Sequence, residues 1–318
     1  RTAFEYIKND KERMGRSKEC DARGMLGFER KGVKTRAPDL VIQDELHLLT
    51  GPLGTLGGLF ETGIHVAWAK QGHAPKYIAA TATIRGAEKD STLMYGRKLN
   101  IFPPPMEDAN DNFFAKANNE PGKGRVHVGI LGPYGKDQTL FAHTTGSLLQ
   151  RVNEIKLLGL DSDKILDPYW TLVSYFNSLR ELGAAQSQIS SRIPEFIDRF
   201  SVTTNKAPRE LLNSIELTSR RTASELKDQK ARLKLEIGHD GAVDTVVTSN
   251  MFQVGIDISR LGLMVINGQP RSNSEYIQSS GRVGRRHPGL VVSLLRSKYP
   301  RDQSHYESFR GFHQEMYR

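Results

Sequence analysis

Short apolar runs alternate with longer amphipathic stretches along most of the chain, and turn residues separate them. Asp39-Leu40-Val41-Ile42-Gln43 reads as a buried strand. Gly51-Pro52-Leu53-Gly54 reads as a turn, and Thr55 to Lys70, with Leu59, Ile64, Val66 and Trp68, as a helix stopped near Gly72. Lys76 to Ala80 predicts a second strand, ending in Thr81-Ala82-Thr83, and Ala87 to Arg97 a second helix. Strand, acidic turn, helix, strand, hydroxyl turn, helix is the alternation of a parallel sheet.

The pattern then breaks. Phe102-Pro103-Pro104-Pro105 through Gly122-Lys123-Gly124 is rich in Pro, Asn, Asp and Gly and reads as a connector. Beyond it the rhythm resumes. Strands are expected at Arg125 to Leu131, Trp170 to Tyr175, Leu212 to Leu217, Val243 to Val247, Leu261 to Ile266 and Leu290 to Leu295. Helices are expected at Thr139 to Leu158, at Phe176 to Leu182 (ended by Gly183), at Ile189 to Phe200 (interrupted at Pro194) and at Ala223 to Leu235. A further helix leads into Gln278, and a polar one closes the chain. The expectation is an α/β protein of two domains, 1–120 and 121–318, the first ending in the connector.

At 318 residues both domains are long enough for a core of their own. The formal net charge of +9 suits an anionic partner, with nucleic acid the first candidate. No run approaches the roughly 18 apolar residues of a membrane span. The single cysteine, Cys20, excludes an internal disulfide and a cysteine-based zinc site, and points to a reducing cytoplasm.

Two adjacent carboxylates at the end of a predicted strand divide labour well. Asp44 is suited to Mg²⁺ held through its water shell, and Glu45 to polarising a water. A solvated turn and helix start is the other reading of the same pair. A nuclease using both carboxylates finds no further acidic cluster to support it. His47 has no His-Glu-x-x-His context, which argues for polar coupling over metal ligation. Thr81 and Thr83 stand at the next strand end. Far downstream, Gln278-Ser279-Ser280-Gly281-Arg282-Val283-Gly284-Arg285 places two arginines three apart at a helix end, where both forks can reach one anion. The glycines there let backbone approach the same anion.

Taken together, Asp44-Glu45-Leu46-His47, Thr81-Ala82-Thr83, Ser249-Asn250 to Gly255-Ile256-Asp257 and Gln278 to Arg285 look like motifs II, III, V and VI of superfamily 2 helicases and translocases. The resemblance runs from about Ala37 to Arg286. Within it, Ala37 to His47, Phe102-Pro103-Pro104-Pro105 and Asn267-Gly268-Gln269-Pro270 resemble the helicase-like DrmA proteins of bacterial anti-phage DISARM systems.

The resemblance implies two RecA-like domains, the first incomplete, with ATP in the cleft between them and a nucleic-acid strand across both. It makes Asp44 the Mg²⁺ carboxylate, Glu45 the catalytic base and Arg285 the arginine finger, with Gln278 and Arg282 also facing the phosphates. His47, Gly255 and Asp257 belong to the nucleotide side, and Thr81 and Thr83 couple the two sites. Ser249 and, at another strand end, Thr218, Ser219 and Arg220 are the expected backbone contacts on nucleic acid. Asn250 departs from the aspartate usual in the family. DNA is favoured over RNA, and a partner subunit is implied, only through the DISARM likeness. The phosphate-binding loop G-x-x-x-x-G-K-[ST] is absent before Asp44, and Gly15-Arg16-Ser17-Lys18 does not fit it. The expectation is therefore a fragment that does not turn over ATP alone at a normal rate. A non-hydrolysing scaffold built on RecA folds is the alternative.

Overall fold

The computed structural model of the protein describes residues 37–49, 51–70, 72–81, 87–104, 111, 113–114, 116, 124–134, 136–159, 163–249 and 258–316. Thr83, Asn250, Gly255 and Asp257 lie outside these. The chain divides between Phe102 and Pro103 into two compact units, at the head of the Pro- and Asn-rich stretch.

In the first unit, β1 (Leu40–Gln43) is followed by a 3₁₀ turn (Leu46–Leu48), α1 (Gly51–Ala69), β2 (Lys76–Ala79) and α2 (Ala87–Tyr95). The strands pair in parallel from Leu40↔Lys76 to Gln43↔Ala79, with α1 as the crossover. Tyr77 and Tyr95 fix α2 to this sheet, their ring centroids 4.9 Å apart. Tyr95 donates to the Gln43 side chain, and Tyr77 to Glu61 at 3.3 Å. Burial and the nearby Glu61 charge push both phenols up to about 12. Among the described residues this sheet has two strands, and Ile42 of β1 is 71% exposed.

The second unit contains β3 (Arg125–Gly132), α3 (Asp137–Leu157), α4 (Asp163–Trp170), β4 (Leu172–Phe176), α5 (Leu179–Ser190), α6 (Arg192–Thr204), β5 (Ser214–Leu217) and α7 (Ala223–Arg232). It continues with β6 (Thr245–Thr248), β7 (Leu263–Asn267), α8 (Asn273–Ser280), β8 (Gly289–Arg296), α9 (Pro300–Glu307) and α10 (Phe309–Glu315). Its described strands form one parallel sheet in the order β3-β8-β7-β4-β6-β5. The inner strands are continuous apolar runs because both faces are covered. On β4, Val173 and Tyr175 enter one core with Val283, Tyr276 and Leu233, while Leu172 and Phe176 enter the other with Phe141, Leu182 and Ile197. Helix starts are chemically marked. Ser178 and Ser272 accept the backbone N–H groups of Glu181 and Glu275, and Thr222 with Glu225 forms a capping box.

Glycine and proline mislead in four places. Gly51-Pro52-Leu53-Gly54 is the first turn of α1, where proline's missing N–H costs nothing. Gly183 does not stop a helix: it lies inside α5, with no heavy atom within 4 Å of where a Cβ would be. Pro194 is in the first turn of α6 rather than at an interruption, and the helix break precedes it between Ser190 and Arg192. Trp170 ends α4, which contains Pro168, instead of opening β4. Trp170 is held there as a platform, with the Arg209 guanidinium 3.6 Å from its ring centroid.

Candidate functional site

In the first unit the chemistry collects where two strands end. Asp44 and Glu45 follow β1, and Thr81 follows β2 two residues beyond Ala79. Backbone bonds from Ala80 N–H to the Gln43 carbonyl (2.8 Å) and from Leu46 N–H to the Ala80 carbonyl (2.9 Å) tie the two ends together. Between them, Glu45 adopts a left-handed conformation, φ 54° and ψ 44°. That costs a non-glycine residue about 1–2 kcal/mol, the kind of strain that gathers at functional sites. Asp44 Oδ1 accepts the Glu45 N–H at 2.8 Å and so stabilises the turn. The Glu45 carboxylate lies 3.5 Å from His47 Nδ1.

Asp44 is exposed, and a lone carboxylate at a strand end fits Mg²⁺, which keeps several of its waters. Among the described residues no group of three His, Cys, Asp or Glu could hold a metal by itself.

The second unit holds two groups at opposite edges of its sheet. Thr218 and Ser249 directly follow β5 and β6, which pair Leu217 with Thr248, so both stand at the carboxyl edge. Thr218 is fully buried there, and its hydroxyl donates to Glu216 at 2.6 Å. Burial pushes the Glu216 carboxyl up, but bonds from Thr218, Gln186 and Arg221 outweigh it and hold the group below its ordinary value. The Thr218 side chain is therefore an internal partner of Glu216 and not the nucleic-acid contact expected of it. Ser219 and Arg220, beside it, are exposed. Ser249 is buried.

Gln278, Arg282 and Arg285 stand at the other edge. Helix α8 returns from the carboxyl end of β7 toward the start of β8 and ends at Ser280, with Gly281 as its cap. Gln278 and Arg282 are half-buried and Arg285 is exposed, its Nε donating to the Gly281 carbonyl at 3.3 Å. Gly284 has φ +68°, and a Cβ there would lie 2.8 Å from the Gly289 Cα. Its glycine is required by the crossing of this loop with β8.

Two contacts behind this loop escaped the sequence reading. Arg125, the first residue of β3, donates through Nε to the Val283 carbonyl at 2.7 Å and through its terminal nitrogen to Gly281 at 3.3 Å. Tyr276 of α8 meets His127 Nδ1 at 3.1 Å and His313 Nε2 at 2.9 Å. Burial, assisted by His313 and Arg125, pushes His127 down to about 4, and burial also lowers His313. The available signal was the alternation Arg-Val-His-Val, which a surface strand would show with the opposite face inward.

Comparison with known proteins bears on the arginine loop directly. The family profile of the helicase conserved C-terminal domain matches residues 187–287, a span that includes Thr218, Ser249, Gln278, Arg282 and Arg285. The chain is thus similar to superfamily 2 helicases. It is 43% identical over 290 residues to the DISARM protein DrmA of Bacillus paralicheniformis, which covers 88% of this chain and 26% of that protein. The chain thus spans about a quarter of that curated relative. The structure of the helicase MrfA bound to DNA matches with a TM-score of 0.56 at 19% identity, over 87% of this chain and 32% of that one. Dbp5 of S. cerevisiae bound to RNA and ADP BeF3 matches with a TM-score of 0.51 at 11% identity, over 86% and 57%. These likenesses show the α/β fold with RecA-like helicase domains. Among the described residues no helix is long and apolar enough to cross a membrane.

Proposed function

We propose that the chain is part of an ATP-dependent helicase or translocase that moves on nucleic acid, with DNA favoured over RNA, within an anti-phage defence system. The carrying observation is the turn at the end of β1, where the strained Glu45 follows Asp44 and is tied to the end of β2 beside Thr81. Strained backbone of this kind gathers at functional sites, which favours a chemical role for the acidic turn over a solvated loop. The DrmA likeness supports the defence assignment, and MrfA structures with DNA and with DNA plus AMPPNP support a nucleotide and a DNA strand as ligands.

In this reading Asp44 holds Mg²⁺, which supplies charge neutralisation on the phosphates. Glu45 orients a water and takes its proton as the water oxygen attacks the terminal phosphorus of ATP and the bond to the bridging oxygen breaks. Gln278, Arg282 and Arg285 face the phosphates, Arg285 carrying the charge that develops on the transferred group. Thr81 and Thr83 couple hydrolysis to the strand, Gly255 and Asp257 link nucleotide state to it, and the exposed Ser219 and Arg220 contact its backbone. The domain boundary near residue 120 and residence in the cytoplasm belong to the same reading.

The test is Glu45→Gln in the longest natural version of the protein. Nucleotide binding is retained and DNA-stimulated hydrolysis is lost. Unchanged hydrolysis would overturn the reading in favour of a scaffold.

A further inference from the structure

We propose that Arg125 is the positioning residue of the arginine loop, an inference that rests on the motor reading above. Arg125 pairs in register with Gly289, the first residue of β8, and its side chain turns under the end of α8. Its two donors reach the carbonyls of Val283 (2.7 Å) and Gly281 (3.3 Å), which flank Arg282 on either side. One planar fork therefore fixes the backbone before and after Arg282, and a lysine cannot reproduce that with a single point donor.

Of the two carbonyls it takes, that of Gly281 is one the helix leaves without an intrahelical partner at its C-terminus, where a cation is also favoured by the helix dipole. The Arg125 stem has a second task. Its Cγ lies 3.1 Å and 3.3 Å from where Cβ atoms of Gly284 and Gly289 would stand, so it fills the glycine crossing from one side. Two residues along the same strand face, His127 meets Tyr276 within α8. Strand β3 thus holds both the body of the arginine helix and its end.

The loop's own backbone bonds are Arg282 N–H to Ser279 (3.1 Å), Val283 N–H to Ser280 (3.4 Å) and Gly284 N–H to Leu261 (2.8 Å). The first two are local to the helix end. The bond from Gly284 and the Arg125 fork are long-range ties on the backbone that carries Arg282 and Arg285. An arginine that stabilises charge only in the transition state must be in place beforehand, and displacement by about 1 Å costs on the order of a hundredfold in rate. Arg125 reaches that charge only through the loop carbonyls, so its loss acts on kcat and leaves ATP binding.

The test uses Arg125→Lys, which keeps the charge and most of the stem but loses the fork, with Arg125→Met as a second variant. In the 318-residue chain, amide hydrogen exchange over residues 281–286 becomes about tenfold faster in both, and the rest of the second unit is unchanged. In the longest natural protein with single-stranded DNA, kcat falls about tenfold with KM for ATP within about twofold. Arg125→Lys combined with Arg285→Ala is no slower than Arg285→Ala alone. Unchanged exchange, or fully additive rate losses, overturns the proposal. If the wild-type protein hydrolyses no ATP, the motor reading fails and the exchange measurement still decides whether Arg125 sets the loop.

Discussion

The Nδ1 atom of His127 lies 3.1 Å from the hydroxyl of Tyr276, joining the edge strand to the helix that carries Gln278. His313 completes the contact from α10, its ring centroid 4.6 Å from that of His127. Arg125 adds positive charge nearby, and His305 and Arg301 stand on the adjoining helix α9. Both His127 and His313 are therefore harder to protonate in the folded state than in water.

Acid should loosen this contact. The folded His127 binds its proton only near pH 4, whereas the unfolded one does so near its ordinary 6.5. Between these values the unfolded state binds more protons, so this contribution is fully present above pH 6.5 and is lost as pH falls toward 4. The melting temperature of the chain should drop across that window. His127→Gln, which still bonds to Tyr276, should flatten the drop. A wild-type slope unchanged in the variant would refute the assignment.

Two glycines should respond oppositely to alanine. Gly284→Ala forces a Cβ to 2.8 Å from the Gly289 Cα at a positive φ, so stability should fall by about 1–2 kcal/mol or more. Gly183→Ala, inside α5 with open space around it, should gain roughly 0.5–1 kcal/mol. Denaturant titration of both variants measures the contrast.

Neighbouring residues after β5 should separate binding from stability. Thr218→Val removes the donor to buried Glu216 and should cost about 1–3 kcal/mol of stability, with nucleic-acid affinity unchanged in the folded protein. Arg220→Ala should leave melting unchanged within about 0.5 kcal/mol and lower the salt dependence of binding by about one phosphate. Affinity measured against salt concentration distinguishes them.

The α/β alternation was legible because buried parallel strands such as Leu263–Asn267 are unbroken apolar runs whose ends coincide with turn residues. Punctuation was less reliable. Gly183 and Pro52 read as breaks, yet a helix tolerates an isolated glycine for about 1 kcal/mol and accepts proline in its first turn. For the candidate site, residue types at strand and helix ends singled out Asp44, Glu45 and Arg285, but not which side chains were already engaged. Thr218 looked free because the carboxylate that takes its hydroxyl, Glu216, sits two residues back on the same strand. Arg125 was invisible for a different reason. The strand Arg-Val-His-Val turns its polar face inward, leaving Val126 60% exposed, and only the packing of α8 against that face explains why.

Strand β3 comes first in the second unit but is hydrogen-bonded only to β8, the last strand of the described sheet. A chain emerging from the ribosome must therefore hold β3 unpaired until nearly the whole unit has been made, since the inner strands can assemble without it. The support behind the arginine loop is then among the final contacts to form. A nascent chain stopped between Arg285 and β8 would carry the arginines without a finished sheet edge, so the order of synthesis itself keeps them unset until the unit is complete.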